Sequence, residues 1–275
     1  MTIGRPTISY IGSLTAALAL LSGSPASPAS PPPAPLPGIG SYADLAVLTL
    51  DAPVIVHARI TRAVALPAKS VPGLAPGLVR MHIDAALTDA ILAPGAVPAA
   101  IDYLADVPAN ARGKAPALRG ADVLLFLRRD GTQFQLSNAR GQLGWSAATE
   151  ATVRKLLTEA RSGSVPAVTG IGSAFRVPGN VPGEAESQFF LNTADGKPVS
   201  LVVLTRPGEA QRLSLALGDV IDDAAEGIPH DTLRWYRLAC FLPAALPATV
   251  EADAGLVADY GFVLNSLGPC GRTLP

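Results

Sequence analysis

The stretch Gly120-Ala121-Asp122-Val123-Leu124-Leu125-Phe126-Leu127-Arg128-Arg129-Asp130-Gly131 constrains the fold more than any other part of the chain. The apolar residues from Val123 to Leu127 are consecutive, and polar or turn-forming residues bound them on both sides. A run this short and continuous predicts a strand covered on both faces. Asp130-Gly131 then supplies a turn at positive φ, so the chain is expected to fold back as a hairpin through Phe134 and Leu136. This strand is expected at the centre of a small β-barrel.

The segments before it alternate. Val54, Val56, Ala58 and Ile60 fall on one side and Ile55, His57, Arg59 and Thr61 on the other, a half-buried strand. After the Pro72-Gly73 and Pro76-Gly77 breaks, Val79, Met81, Ile83 and Ala85 point in, while Arg80, His82 and Asp84 point out. Val97, Ala99, Ile101 and Tyr103 predict a third strand, and Asp106 to Arg119 reads as a loop. Ser41 caps a short helix that Pro53 stops. Ser146 caps a longer one over Ala147 to Arg161, with Val153, Leu156, Leu157 and Ala160 on one face. Five short strands closed by a helix, over residues 41–162, predict an OB-like β-barrel whose closure removes exposed edges.

The series Val54–Ile60, Val79–Leu87, Gly95–Ile101, Val123–Leu127, then Gly141 and the closing helix, resembles the netrin-like (NTR/TIMP-like) OB-fold domains of secreted proteins. The resemblance implies the fold of residues 41–162. The metalloprotease inhibitors of that family reach the protease zinc through an N-terminal cysteine. Residues 41–162 contain no cysteine, so inhibition does not carry over by that route.

Ser162-Gly163-Ser164 reads as a joint, followed by a second unit at 165–275. Phe189–Leu191, Val199–Leu204 and Leu213–Leu217, separated by Asp195-Gly196 and Pro207-Gly208, predict an antiparallel meander. Asp231 is expected to cap a helix over Thr232–Phe241. Leu256, Tyr260, Val263, Leu264 and Leu267 line a second helix, stopped by Gly268-Pro269. The whole chain is therefore expected to be a β-rich α+β protein: the OB-like barrel, then an α+β module of meander and two C-terminal helices. Cys240 and Cys270 are the only cysteines. In an oxidising compartment such a pair is expected to form a disulfide; the competing reading is two separate buried thiols. A tight antiparallel helix hairpin would place the two at opposite ends, so the first helix must be short or the connection must travel back.

The address is read from the start of the chain. Arg5 precedes an apolar run from Ile8 to Leu21, and small residues follow to Ala26. Residues 1–26 read as a secretory signal peptide, and 27–40 as an extended, solvated Pro-rich linker. An uncleaved anchor is the competing reading and the one expected route to a membrane. The periplasm or the cell exterior is the expected location.

Little in the chain carries chemistry. The formal net charge of -1 removes the electrostatic basis for general nucleic-acid binding. His57 and His82 fall on outward faces of adjacent strands. With Arg59 and Arg80 they would form a basic patch for an anion or one metal ion; the competing reading is a solvated sheet face. No third ligand is visible, so no metal and no cofactor is assigned. Gly170-Ile171-Gly172-Ser173 misses the Gly-x-Ser-x-Gly elbow. Glu184 and Glu186 form a close carboxylate pair, Asp222, Asp223 and Glu226 an acidic cluster, and His230 reads as a loop residue. The expectation is an exported, non-catalytic binding or interaction protein with a protein or small-molecule partner. One alternative is a secreted hydrolase in which Ser173, Glu184 or Glu186 converge with His230. Another, by fold analogy, is a protease inhibitor.

Overall fold

The structure is a computed structural model that describes residues 1–2, 33–34, 36, 38–217, 220–221 and 228–274. The expected signal peptide, apart from residues 1–2, the early linker, and the cluster Asp222, Asp223 and Glu226 lie outside the described residues. The elements run α1 (Tyr42–Asp51), β1 (Val54–Ala65), β2 (Leu78–Leu92), β3 (Ala100–Pro108), β4 (Asp122–Asp130), β5 (Gln133–Leu136), β6 (Gln142–Gly144), α2 (Ala147–Ser162), β7 (Val168–Pro178), β8 (Ala185–Thr193), β9 (Val199–Thr205), β10 (Arg212–Leu217), β11 (Val220–Ile221), α3 (Leu233–Ala239) and α4 (Ala254–Leu267). Among the described residues the fold is β-rich, with two antiparallel sheets and four α-helices.

β4 sits inside the first sheet, paired with β1 on one edge and with β5 and β6 on the other. The residues Val123 to Leu127 are all fully buried, and they feed two different cores. Val123, Leu125 and Leu127 point into a core enclosed by the curved sheet, with Val54, Val56, Ile60, Met81, Ile83 and Ile101. Leu124 and Phe126 point the other way, against α1 and α2. A strand with apolar cover above and below has no face left for polar side chains, which is why its sequence does not alternate.

The expected closed barrel is not what forms. The first sheet runs β3-β2-β1-β4-β5, with β6 beside β5 on β4, and no ladder joins β3 to β5. Register shifts at Ile55/Val56, His57/Ala58 and Ile60/Arg62 bend the sheet around its core. It bends far enough to bring β3 and β5 face to face. But β5 spans only Gln133–Leu136, and all of it is paired with Leu127–Asp130 of β4. That pairing uses one edge of β5; its other edge, toward β3, carries no ladder, so the curved sheet is open along that seam.

Three local readings are corrected. β3 continues to Pro108, through residues expected to be loop, because Ala105 and Val107 extend the inward alternation of Ile101 and Tyr103 while Asp106 lies on the outer face. The later linker is not a solvated spacer: Ala34 N–H donates to Ala117 O at 2.6 Å, Leu36 packs on the first core and Ile39 on the second. Thr232, not Asp231, caps α3, its hydroxyl accepting from Trp235 N–H at 3.1 Å.

The second sheet is the expected meander, β11-β10-β9-β8-β7. Its inner face shares the second core with α1, α2, α3, α4 and the outer face of β1 and β4. Residues 33–275 accordingly form one compact unit. Cys240 and Cys270 are bonded, with Cα atoms 4.9 Å apart. The helix-hairpin objection dissolves because α3 is only 7 residues long and Cys270 lies beyond the turn at Gly268.

Candidate binding groove

The four residues expected to form one basic patch separate into two places. The β1–β2 ladder sets His57 opposite Asp89 and His82 opposite Val64. Seven positions along β1 separate the two sites, roughly 23 Å at about 3.3 Å per residue. His57 is on the predicted face, yet only 9% exposed, because Trp145 and α2 lie over that end of β1. The two rings stack at 4.5 Å and 4°. Trp145 Nε1–H donates to Glu150 Oε2 at 2.6 Å, and that bond, with those from Arg154, holds the Glu150 carboxyl below its ordinary range against the effect of burial. Arg59 donates to Asp122 at 3.0 Å. This end of β1 is a mixed, internally paired charge cluster under a tryptophan.

The other pair borders open space. Arg80 makes a two-pronged bond to Asp106, Nε to Oδ1 at 2.6 Å and Nη2 to Oδ2 at 2.7 Å. This hydrogen-bonded contact raises the guanidinium pKa and lowers that of the carboxyl. His82 lies between Asp102, at 3.4 Å, and Asp84, at 3.7 Å. Arg80, His82, Asp102 and Asp106, with Leu104, Gln133 and Gln135, line a cleft of about 530 Å³ at the β3–β5 seam.

A second cavity, about 310 Å³, adjoins the first through Asp106, Leu136 and Ala139. Its walls are largely apolar: Leu78, Ala105, Val107, Leu136 and Leu143. Gln142 also lines it and is only 6% exposed. The β4–β6 register sets Gln142 opposite Leu125, so its side chain shares the inward direction. Tyr103 O–H donates to Gln142 Oε1 at 2.7 Å, deep in the interior. Burial raises the Tyr103 pKa far above the ordinary phenol value. Gln142 Nε2 has no hydrogen-bond partner among the described residues. Sequence reasoning passed over Gln142. The one signal was a large amide placed between Gly141 and Gly144 at the return to β4.

The residues of the hydrolase reading do not share a cleft. Glu184 and Glu186 line a hollow of about 260 Å³ with Asn180 and Arg206, and neither Ser173 nor His230 is among its lining residues. Ser173 pairs with Phe190 on β8, and His230 packs on Trp235 at 5.2 Å between ring centres. A buried polar knot elsewhere is structural in form: Asp259 of α4 accepts from Ser187 Oγ at 2.6 Å, Gln211 Nε2 at 2.8 Å and Arg176 Nε at 3.1 Å, fastening the helix to the second sheet. No three His, Cys, Asp or Glu side chains among the described residues are placed to hold a metal ion, and no described helix is long and apolar enough to cross a membrane. Neither a protein-family model nor a curated protein sequence matches the chain.

Proposed function

We propose that this chain is an exported, non-catalytic binding module: a partly open OB-like barrel of the netrin-like kind that takes a small molecule in the seam between β3 and β5. The observation that carries the reading is the open seam itself, with a polar outer cleft and an adjoining apolar chamber. Binding sites are commonly concave, mostly apolar and furnished with a few convergent polar groups. Arg80 and His82 stand at the outer rim, where they would meet the ligand's polar end. His57 and Arg59 lie at the far end of β1 and take no part. The Cys240–Cys270 disulfide is compatible with a periplasmic or secreted protein.

A thermal-shift screen of a small-molecule fragment library tests this. A true ligand raises the melting temperature, with a gain of about 2.7 kcal/mol at a hundred times Kd. Leu136 lines both cavities, so Leu136→Trp should fill the seam and abolish the shift. Hits that stabilise this variant as well as the parent would count against the seam.

A further inference from the structure

β7 is a long outer strand with a ladder on one side only. It pairs with β8, and its other edge meets no strand among the described residues. We propose that this edge is a self-association surface: a second copy of the chain lays its own β7 antiparallel against it, making one continuous sheet across a two-fold dimer. The proposal stands apart from the seam, which belongs to the other sheet.

The outer face of this edge is apolar. Ala174 and Arg176 stand opposite Phe189 and Ser187, both fully buried, so they belong to the inner face. Ser173, Phe175 and Val177 lie on the outer face, opposite Phe190, Gln188 and Glu186. Phe175 is 43% exposed and Val177 47%, and Phe175 rests against the exposed ring of Phe190 at 5.7 Å between centres. Edge strands are commonly guarded by a charged side chain that opposes pairing. The one charge on β7 is Arg176, and its Nε already donates to Asp259 at 3.1 Å.

The direction of the backbone groups follows from the hairpin. Gly179 N–H donates to Glu184 O at 2.8 Å, on the β8 side. Counting back in twos, Val177 and Phe175 also turn their N–H and C=O toward β8. Ala174 and Arg176 turn theirs to the free edge, where Pro178 has no N–H to offer. One antiparallel register then suits a second copy. Phe175 against Phe175 sets Ala174 opposite Arg176 on either side, and each such pair exchanges two backbone bonds. Ala174 against Ala174 would carry the pairing into the irregular step between Ile171 and Ser173. Arg176 against Arg176 would oppose like charges. Val177 against Val177 would set Arg176 opposite Pro178, which cannot donate. A two-fold axis through the Phe175 pair, perpendicular to the sheet, keeps both apolar faces on the same side. Phe190, Phe175 and their counterparts then form one aromatic row across the join.

Sedimentation of the disulfide-bonded chain is expected to show a concentration-dependent dimer. Ala174→Pro removes one donated bond per copy and leaves the β8 ladder intact, since that N–H points away from β8. At about fivefold per net hydrogen bond, dimerisation should weaken roughly 25-fold. A cross-linking pair tests the register without touching a backbone donor. Phe175→Cys sets two thiols opposite each other at a non-hydrogen-bonded position, where Cα atoms lie about 4.5 Å apart, and oxidation should yield a covalent dimer. In Val177→Cys the two thiols stand four positions apart, roughly 13 Å along the strand at about 3.3 Å per residue, and should not join. A monomer at every concentration up to about 1 mM overturns the proposal, the result expected if the edge serves a different protein. So does a dimer that Ala174→Pro leaves as tight as before, or a Val177→Cys variant that cross-links as readily as Phe175→Cys.

Discussion

Asp44 shows how much one carboxylate can organise. It is fully buried in the first turn of α1, and its oxygens accept from Thr273 N–H at 2.7 Å, Leu274 N–H at 2.8 Å and Thr273 Oγ1 at 2.7 Å. Burial alone would push its pKa up. The Thr273 and Leu274 bonds and the nearby Arg140 outweigh that and hold it below the ordinary value. Folding therefore favours the ionised form. Its contribution is complete above the ordinary carboxylate pKa of about 4 and is lost as pH falls through the lower, folded value. Denaturant melts should show Asp44→Asn about 2 kcal/mol less stable than the parent at neutral pH, the gap closing in acid. A gap that stayed constant down to pH 2 would mean that ionisation of Asp44 does not matter. Of this arrangement the sequence disclosed only the cap, Ser41 accepting from Asp44 N–H. The same holds for His57: its face followed from alternation along β1, but its cover comes from Trp145, far along the chain, and local periodicity carries no trace of such a partner.

Among the elements, β4 was legible because burial on both faces leaves a signature in consecutive residues. That the two faces serve different cores was not, since the cover on one side is supplied by α1, α2 and the second sheet. The two cores allow a direct comparison. Phe126→Ala empties a site against the helices, and Leu125→Ala one inside the curved sheet. Losses of about 3–5 and 2–5 kcal/mol are expected, and both should appear as shifted urea midpoints. The open seam was hidden for a related reason. The alternation of Ile101, Tyr103, Ala105 and Val107 says which side of β3 faces in, but nothing in it says whether the free edge finds a partner. Asp106 looked like the start of a loop because its ion-pair partner, Arg80, sits on another strand. Gln142 was missed similarly: the hydroxyl that holds its amide oxygen, Tyr103, sits on another strand.

Taken whole, the molecule joins what the sequence divides at Ser162-Gly163-Ser164. The second core passes from α1 through α2 and the meander to α3 and α4, so both parts should lose their structure together. Trp145 lies against the first sheet and Trp235 among the C-terminal helices, bonded through Nε1–H to Leu267 O at 2.7 Å. Single-tryptophan variants should therefore melt with coincident midpoints, and two separated transitions would restore the picture of independent domains. Breaking the disulfide by Cys240→Ser and Cys270→Ser releases a loop of 30 residues and should lower stability by about 3–4 kcal/mol. The loss should be read equally at both tryptophans.

The hold on Asp44 also sets an order of events. Thr273 follows it by 229 residues, so at about 5–20 residues per second a ribosome needs roughly 10–45 s to deliver the groups that satisfy it. Throughout that interval the first helix carries a bare carboxylate on a surface destined for the interior. A nascent chain in this condition has a built-in reason to stay unfinished until nearly all of it has emerged.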